Sequence, residues 1–571
     1  MKSILYSLFV IAVICFCNSQ VLIAQWSTNP NVNNAICTMA NGQSVPAIAS
    51  DGNGGAIITW QDNRSGNSDI YAQRISTDGL VQWNMGGVAI CTATGNQSLP
   101  TIVSDGSGGA IITWEDYRSG NLDIYAQRIN ADSIVQWTAD GVALCTATGN
   151  QSYPTIVSDG SGGAIIAWQD TRSVPETGVY VQRISAGGIV QWAENGVALC
   201  TVGGTQSHAT SIISDGSGGA IVAWEDARAQ SNTDIYAQRI NAGGIVQWTA
   251  EGVAICTAIN NQIYPSMVSD GNGGAFITWQ DLRNGSYYDI YAQRINADST
   301  VHWTSNGVAI CTAMDNQSTP NITRDGSGGA IITWHDNRSG NMDIYAQRIN
   351  ADSTVRWTAD GAAVCTVAGG QAYPVAVSDG SGGAVILWWD YRDEVNYNIY
   401  AQRIGDGGTI QWPVDGVAIC TATGHQSNPL IVSDGSGGAI ATWEDQRSGS
   451  NSDIYAQRIY STGNLYTSVK DISGIVPHEF TLGQNYPNPF NPSTTIEIGL
   501  PVRSQVTLRV YNMLGQEVAL LINGRELPAG SQHVSWIVDL SSGVYIYRME
   551  AVSLNNPARG FVEAKKMLLV K

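Results

Sequence analysis

The fold is decided by a stretch that recurs along most of the chain, and residues 101–129 are one copy of it: TIVSDGSGGAIITWEDYRSGNLDIYAQRI. Its segments Thr101–Ser104, Ala110–Glu115 and Asp123–Ile129 are rich in β-branched and aromatic residues, which favours three short strands. The aspartate and glycines between the first two segments tolerate the positive φ angles that hairpin turns require. A fourth short strand is predicted at Val142–Cys145, and no segment has a sustained helical period. One copy is therefore an antiparallel unit of about four strands.

The segment Ser-Asp-Gly-x-Gly-Gly repeats eight times, about every 55 residues, with Arg324 replacing the serine in the sixth copy. Its aspartates are Asp51, Asp105, Asp159, Asp215, Asp270, Asp325, Asp379 and Asp434. A period of this size indicates a stacked or ring-shaped array, and a four-stranded unit is typical of a propeller blade. We predict an all-β fold with an eight-bladed β-propeller. The alternatives are an open β-solenoid and a row of small sandwiches.

The two ends of the repeat array predict how the ring closes. A tryptophan follows the third strand in seven copies, whereas the last copy has Leu465-Tyr466 at that position. The eighth such tryptophan is Trp26, which precedes the first copy. An open array requires capping repeats of different sequence, and the end copies here resemble the middle ones. We therefore predict that the N-terminal segment completes the last blade.

Residues 1–24 have the pattern of a secretory signal peptide, with Lys2 before an apolar run, Ile4–Phe16, and small or neutral residues at the end. This run is shorter than the roughly 18 residues of a membrane-spanning helix, and no later segment reaches that length. We expect cleavage after Ala24 and no transmembrane segment in the mature chain. The predicted organisation is a signal peptide at 1–24, the propeller at 25–466, a linker at 467–482 and a C-terminal domain at 483–571.

Charge and cysteine placement limit the function classes. Residues 3–469 carry 18 positive and 39 negative side chains, and 16 of the 18 arginines occupy two fixed repeat positions. A surface with so few loose cations is not expected to bind nucleic acid. One cysteine per repeat lies in an apolar run, which predicts free, buried thiols rather than disulfides. These cysteines are Cys37, Cys91, Cys145, Cys200, Cys256, Cys311, Cys365 and Cys420.

The last 90 or so residues have a different pattern. The segment NYPNPFNP at 485–492 is followed by alternating apolar segments at Thr494–Ile498, Val506–Tyr511 and Gly543–Arg548, and the chain ends in KKMLLVK. Short alternating strands with Gly and Pro turns predict a β-sandwich. In this order the motifs closely resemble the type A sorting domain of type IX secretion substrates.

That resemblance implies a small immunoglobulin-like sandwich that the outer-membrane translocon of the type IX system reads. It also implies that the protein is secreted or held at the cell surface. The sorting residues that it implies are Asn485, Tyr486, Pro487, Asn488, Pro489, Phe490, Asn491, Pro492, Gly515, Gly543, Tyr545 and Lys571.

Two repeated motifs could carry chemistry. Trp-x-Asp-x-Arg occurs in every repeat, for example as Trp114, Asp116 and Arg118, and could contact a sugar. Equal numbers of aspartate and arginine at a fixed spacing instead favour internal ion pairs, with the tryptophan packed between blades. The Ser-Asp-Gly turn supplies one carboxylate, whereas calcium takes about six to eight oxygens. We predict structural roles for both motifs, no metal and no cofactor.

A ligand site on a symmetric ring is expected where one repeat departs from the others. The departures lie in the hairpin loop after the repeated arginine and include the carboxylates Glu176, Asp393 and Glu394. Histidines such as His335 and His425 do not fall at equivalent positions, which argues against a metal set. The candidate ligand-binding residues are the aromatic ones in these loops, Trp389, Tyr391, Tyr397, Tyr287 and Tyr288.

These observations predict an exported propeller that binds a polysaccharide or a surface protein, as an adhesion or structural module. The alternative is a glycosidase or lyase with its site on one face of the ring. The symmetry-breaking carboxylates come from the third and seventh repeats, too far apart for a glycosidase pair. We therefore expect that the protein is not an enzyme.

Overall fold

The computed structural model describes residues 26–173, 176–203, 206–229, 231–449, 451–465, 479–485, 488–490, 493–527, 529–538, 540–554 and 560–570. These residues form strands and turns and contain no helix, hence none that could cross a membrane. Contacts divide the chain into two units, residues 1–466 and 467–571. The signal peptide predicted at 1–24 and most of the linker predicted at 467–482 lie outside the described residues.

The first unit is an eight-bladed β-propeller of four-stranded antiparallel sheets. The first strands of neighbouring blades contact one another all round the ring, so they line its centre and the fourth strands lie outermost. Its strands in chain order are β1 (Asn34–Cys37); β2 (Gln43–Ser50), β3 (Ala56–Asp62), β4 (Asp69–Ile75) and β5 (Val88–Cys91) of blade one; β6 (Gln97–Ser104), β7 (Ala110–Asp116), β8 (Asp123–Ile129) and β9 (Val142–Cys145) of blade two; β10 (Gln151–Ser158), β11 (Ala164–Asp170), β12 (Gly178–Ile184) and β13 (Val197–Cys200) of blade three; β14 (Gln206–Ser214), β15 (Ala220–Asp226), β16 (Asp234–Ile240) and β17 (Val253–Cys256) of blade four; β18 (Gln262–Ser269), β19 (Ala275–Asp281), β20 (Asp289–Ile295) and β21 (Val308–Cys311) of blade five; β22 (Gln317–Arg324), β23 (Ala330–Asp336), β24 (Asp343–Ile349) and β25 (Ala362–Cys365) of blade six; β26 (Gln371–Ser378), β27 (Ala384–Asp390), β28 (Asn398–Ile404) and β29 (Val417–Cys420) of blade seven; and β30 (Gln426–Ser433), β31 (Ala439–Asp445) and β32 (Asp453–Ile459) of blade eight.

Blade eight is completed by the N-terminal segment, as predicted. Strand β1 pairs antiparallel with β32 and supplies the fourth strand of the last sheet. The indole N–H of Trp26 donates to the carbonyl oxygen of Thr77 at 2.8 Å. Trp412 donates in the same way to Ser461 of the next blade, at 3.1 Å. The N-terminal segment therefore supplies both the fourth strand and the seam tryptophan of the closing blade.

The hydrophobic core lies between the blades. Each of the eight interfaces buries one cluster of apolar side chains from both neighbours. Between blades one and two, for example, Ile57, Ile70 and Trp83 pack against Ile112 and Trp114. The eight tryptophans of Trp-x-Asp-x-Arg are fully buried in these clusters. They therefore stabilise the ring and offer no surface on which a sugar could stack.

An aspartate–arginine pair fixes each Ser-Asp-Gly turn to the third strand of its blade. In blade two, Asp105 Oδ1 accepts the N–H groups of Ser107 and Gly109 at 2.8 and 2.9 Å. Asp105 Oδ2 accepts from Nε and Nη2 of Arg128 at 3.0 and 2.8 Å. A Cβ atom on Gly109 would lie 2.3 Å from the carbonyl oxygen of Ile129, so only glycine fits there. The predicted turn is confirmed, and its aspartate is in addition the partner of a largely buried arginine.

The same arginine ties each blade to the next. Arg128 Nη1 and the indole N–H of Trp137 both donate to the carbonyl oxygen of Ala186 in blade three, at 3.0 and 3.1 Å. At the closing seam, Arg458 Nη1 donates to the carbonyl oxygen of Thr77 at 2.9 Å. Equivalent hydrogen bonds therefore join the blades at the closing seam and at the seams between consecutive blades.

The Trp-x-Asp-x-Arg motif forms a second internal ion pair, as predicted. Arg118 donates through Nε and Nη2 to the two carboxylate oxygens of Asp116 at 2.8 and 2.6 Å, and Trp114 Nε1 donates to the same carboxylate. The guanidinium stacks 3.9 Å above the ring of Tyr125. Its Nη2 is 3.2 Å from the thiol of Cys91, a free cysteine whose pKa is raised to about 12 by burial.

The second unit contains two sheets packed around one apolar core, which confirms the predicted sandwich. One sheet has the order β33-β34-β37 and the other β36-β35-β38-β39. The strands are β33 (Thr481–Leu482), β34 (Ser493–Leu500), β35 (Ser504–Asn512), β36 (Glu517–Leu527), β37 (Gly530–Ile537), β38 (Gly543–Ser553) and β39 (Gly560–Leu569).

Deleting residues 25–40 should lower the thermal unfolding midpoint of the propeller, because β32 loses its partner strand and a core cluster loses Trp26. Loss of a buried tryptophan side chain alone costs about 3–5 kcal/mol. Differential scanning calorimetry of both chains measures the change. A chain that ends at residue 466 is the control, since it keeps every propeller strand. An unchanged midpoint for the 25–40 deletion contradicts closure by the N-terminus.

Replacing Asp105 by Asn should destabilise the propeller by about 3 kcal/mol, because it leaves the guanidinium of Arg128 buried without its counter-charge. Asn retains the shape of the turn, so the measured loss reports the ion pair. Chemical denaturation of the variant measures it. Asp132→Asn, at an exposed aspartate of the same blade, should change the stability little. Equal losses of stability in the two variants would contradict a stabilising role of the Asp105–Arg128 ion pair.

Candidate functional site

The two ends of the blades form two different faces of the propeller. One end carries the Ser-Asp-Gly turns and the turns between third and fourth strands. The other end carries the hairpins after Trp-x-Asp-x-Arg and the segments that join one blade to the next; we name it the variable face. Its hairpins differ between repeats, so a ligand site is expected there.

Six aromatic side chains of blades six to eight form a continuous series on the variable face. We name it the aromatic track, and its members are His335, Tyr373, Trp389, Tyr391, Tyr397 and His425. Tyr373 lies 5.8 Å from His335 and 4.5 Å from Trp389, measured between ring centroids. Tyr397 lies 5.6 Å from Trp389, 4.9 Å from Tyr391 and 5.3 Å from His425. Tyr373 is 50% exposed and Tyr397 is 40% exposed, so the series faces solvent at two points.

Trp389 occupies the variable position of Trp-x-Asp-x-Arg, next to the buried Trp388. In blades two, four and eight, Glu115, Glu225 and Glu444 at this position each accept a backbone N–H of the next blade at 2.7 Å. An indole cannot accept such a bond, and the Trp389 N–H is itself buried with no acceptor among the described residues. Blade seven therefore replaces a hydrogen bond across the seam with an aromatic surface.

Tyr373 lies in a bulge of the first strand β26. Its φ is +54°, and the register with β27 shifts between Ala372 and Val375. A proline follows it, so neither residue fits the alternating pattern of a regular strand. The same bulge explains why the sequence of blade two predicted the first strand only from Thr101, whereas β6 begins at Gln97.

Asp393 fixes the hairpin between β27 and β28. Its carboxylate accepts the N–H groups of Val395 and Asn396 at 3.0 and 2.9 Å and Nδ2 of Asn398 at 2.9 Å. Partial burial alone would raise the pKa of Asp393, but these hydrogen bonds outweigh it and lower the pKa. This carboxylate, which breaks the symmetry of the repeats, therefore forms part of the loop's frame.

The predicted aromatic site divides into two groups. Trp389, Tyr391 and Tyr397 come together in blade seven, as members of the aromatic track. Tyr287 and Tyr288 lie in the hairpin of blade five, and within the described residues no ring contact joins them to the track. Periodicity alone could not separate the two groups, because both follow the same repeated arginine.

The sequence-based prediction missed Tyr373, His335 and His425 as members of the site. His335 Nδ1 lies 2.8 Å from Thr319 Oγ1, and burial lowers its pKa to about 4, so the ring is neutral at neutral pH. His425 Nδ1 accepts the N–H of Tyr397 at 3.2 Å. Both histidines therefore serve as packed rings. The described residues contain no group of three His, Cys, Asp or Glu side chains arranged for a metal ion.

Several carboxyl groups have raised pKa values for a repeated, structural reason. Burial raises the pKa of Asp234 and of Asp289 to about 6. Both stand at the start of a third strand, where Asp123 and Asp343 are shifted in the same direction. A position shared by many blades does not mark a unique site.

In the C-terminal unit, the first residue of the predicted sorting motif is buried between the sheets. The N–H of Asn485 donates to the phenol oxygen of Tyr547 at 2.8 Å, and its Nδ2 donates to Thr494 Oγ1 at 2.9 Å. Tyr547 donates in turn to the carbonyl oxygen of Gly483 at 2.7 Å, and burial raises its pKa to about 12.

The second half of the motif attaches to the last strand. Phe490 is buried; its N–H donates to the carbonyl oxygen of Leu568 at 2.9 Å, and its own carbonyl accepts from Val570 at 3.0 Å. Asn488 Oδ1 accepts the N–H of Leu568 at 2.8 Å, next to Pro489. The motif thus fixes the chain end to the sandwich.

The remaining sorting residues have ordinary structural positions. Gly515 is in the hairpin between β35 and β36 with φ +76°, Gly543 begins β38, and Tyr545 donates to the carbonyl oxygen of Ser541 at 2.8 Å. Five predicted sorting residues lie outside the described ones: Tyr486, Pro487, Asn491, Pro492 and Lys571.

Comparison with known proteins identifies the C-terminal domain. Residues 484–559 match the family model of the secretion system C-terminal sorting domain. The chain therefore carries a type IX sorting domain, and the protein is secreted to the cell surface or the extracellular space. No curated protein matches the chain.

The chain is also similar to several solved structures. A protein of unknown function from Dyadobacter fermentans is 14% identical, with a TM-score of 0.34 over 63% of this chain and 94% of that one. An α-L-arabinanase of Penicillium chrysogenum is 12% identical, with a TM-score of 0.31 over 55% and 94%. An ulvan lyase of a new polysaccharide lyase family is 10% identical, with a TM-score of 0.38 over 80% and 99%.

The expectation that the protein is not an enzyme is contradicted, since the solved structures similar to this chain include an arabinanase and a polysaccharide lyase. The likeness concerns the fold, and the activities are those of the other proteins.

His335→Gln should remove an acid sensitivity of the folded protein. The folded-state pKa of about 4 lies below the ordinary value of 6.5, so between these values the unfolded chain binds more protons and stability falls as pH falls. Gln occupies the equivalent position at Gln280 and does not titrate. Unfolding midpoints between pH 6.5 and 4 measure the difference. The exposed His302→Gln should leave the wild-type slope unchanged, and the same slope in H335Q would contradict the prediction.

Proposed function

We propose that the propeller recognises a neutral polysaccharide through the aromatic track. The observation that carries this proposal is the continuous series of rings from His335 to His425, exposed at Tyr373 and Tyr397. Aromatic faces pack against the apolar faces of sugar rings, while tyrosine hydroxyls can bond sugar hydroxyls. Several rings side by side can contact successive units of a polymer.

The charge of the propeller favours a neutral chain. Sixteen arginines of the repeats are engaged in ion pairs with repeat aspartates. Negative side chains outnumber positive ones by 39 to 18 in residues 3–469. Such a body repels polyanions such as sulfated or uronate-rich chains.

The structural cost of the track also supports a role in binding. In blade eight, Glu444 accepts a hydrogen bond from the next blade, and Trp389 at the equivalent position of blade seven cannot accept one. Blade seven also buries the indole N–H of Trp389 without an acceptor among the described residues. Local rules that are broken in one repeat of a regular array are typical of a functional site.

Recognition of a polysaccharide is a property that a binding module and a polysaccharide-degrading enzyme share. The proposal therefore concerns the class of ligand. The experiment that tests it also measures whether the bound polymer is shortened.

The purified protein should bind soluble neutral polysaccharides, here arabinan, xylan, mannan and β-glucan, in a saturable manner. Trp389→Gln should weaken that binding about tenfold, because it removes the central ring while installing the residue that Gln280 has at this position. Isothermal titration measures the affinity, and chromatography of the incubated polymer detects any cleavage. Tyr287→Ala, in the hairpin of blade five, is the matched control. Absence of binding to all four polymers, or full affinity in W389Q, overturns the proposal.

A further inference from the structure

We infer that the binding surface continues from the aromatic track across the mouth of the central channel, so that the ligand is the interior of a long chain rather than a terminal sugar. This inference rests on the proposed function and extends it to the mode of binding. It is carried by one repeated position, the bulge residue in the first strand of each blade.

The bulge residue has the same unusual backbone in every described case. Its members are Val45, Leu99, Tyr153, Tyr264, Thr319, Tyr373 and Asn428, with φ between +49° and +56°. The left-handed region is unfavourable for residues with a Cβ, above all for β-branched ones. The neighbouring blade holds some of them in place: Glu115 accepts the N–H of Tyr153 and Glu225 that of Tyr264, each at 2.7 Å.

The side chain at this position is not explained by the bulge itself. A turn that needs a positive φ is best served by Gly or Asn, and only blade eight has such a residue, Asn428. The glutamine two positions earlier is constant, whereas the bulge side chain varies from blade to blade. A position with a constant, strained backbone and a variable side chain is expected to face a ligand.

Three of the bulge residues are exposed tyrosines on alternate blades. Tyr153 of blade three is 40% exposed, Tyr264 of blade five 52% and Tyr373 of blade seven 50%. The bulges lie near the start of the first strands, which line the channel, so these three residues lie at the end of the channel on the variable face. Tyr373 belongs to the aromatic track as well and therefore connects the two sets.

A chain that lies along the track thus meets further rings only when it is long enough to cross the mouth. We expect a disaccharide to contact the track alone and an octasaccharide to reach Tyr264 and Tyr153 as well. Affinity should therefore rise with chain length, and the additional affinity should depend on these two tyrosines.

The test uses arabino-, xylo-, manno- and gluco-oligosaccharide ladders from disaccharide to octasaccharide, with the full-length protein. The wild type should bind the octasaccharide about tenfold or more tightly than the disaccharide of the same ladder. The double variant Tyr153→Asn and Tyr264→Asn should lose that difference while keeping its disaccharide affinity. Asn suits the backbone, since Asn428 has it in blade eight, and an unchanged unfolding midpoint verifies the fold.

Tyr117→Asn is the matched control. Tyr117 is a 48% exposed tyrosine on the same face of blade two, and Asn63 and Asn337 occupy its position in other blades. This variant should keep the length dependence. Wild-type affinity that is independent of chain length, or length dependence that survives in the double variant, overturns the inference and leaves the proposed function intact. Absence of binding to every ladder overturns both.

Discussion

The propeller depends on the buried pair between the turn aspartate and the arginine of the third strand. In blade two, Asp105 closes its own turn with one oxygen and neutralises Arg128 with the other. The same guanidinium reaches across to the carbonyl of Ala186 in the next blade. The turn, the blade and the seam thus depend on one ion pair, and a largely buried arginine needs that partner because an unpaired charge away from water is strongly unfavourable.

This arrangement accounts for the composition of the protein. With two arginines per blade committed to aspartates, few free cations remain in the propeller and its net charge is negative. It also separates the two faces. The ion pair between the turn aspartate and the third-strand arginine requires the same turn sequence in every blade. The hairpin loops of the variable face can differ between blades without affecting that ion pair. The aromatic track lies on the face that is free to vary.

The sorting domain is stabilised by its own motif rather than by a repeated ion pair. Its motif is not a loose recognition tag, because Asn485 and Phe490 are buried and bonded to the sandwich. The motif joins the beginning of the unit to its last strand, so that its residues are required for the fold before they are available to a translocon. The C-terminal unit accounts for export, whereas we propose that the propeller binds the ligand.

The sequence by itself determined the number of blades, most strands, the pairing of aspartate with arginine inside Trp-x-Asp-x-Arg and the completion of the last blade by Trp26. These features repeat or are local, so a period and a spacing reveal them. The sequence also singled out Trp389 and its hairpin as a departure from the repeat, but it grouped Tyr287 with them.

Only the tertiary structure decided which aromatic residues meet. His335, Tyr373 and His425 are far apart along the chain and come from blade six, blade seven and the segment before blade eight. The positive φ of the bulge at Tyr373 leaves no signature in an alternating pattern. Contacts across blades depend on how neighbouring sheets pack, and that packing exists only in the closed ring.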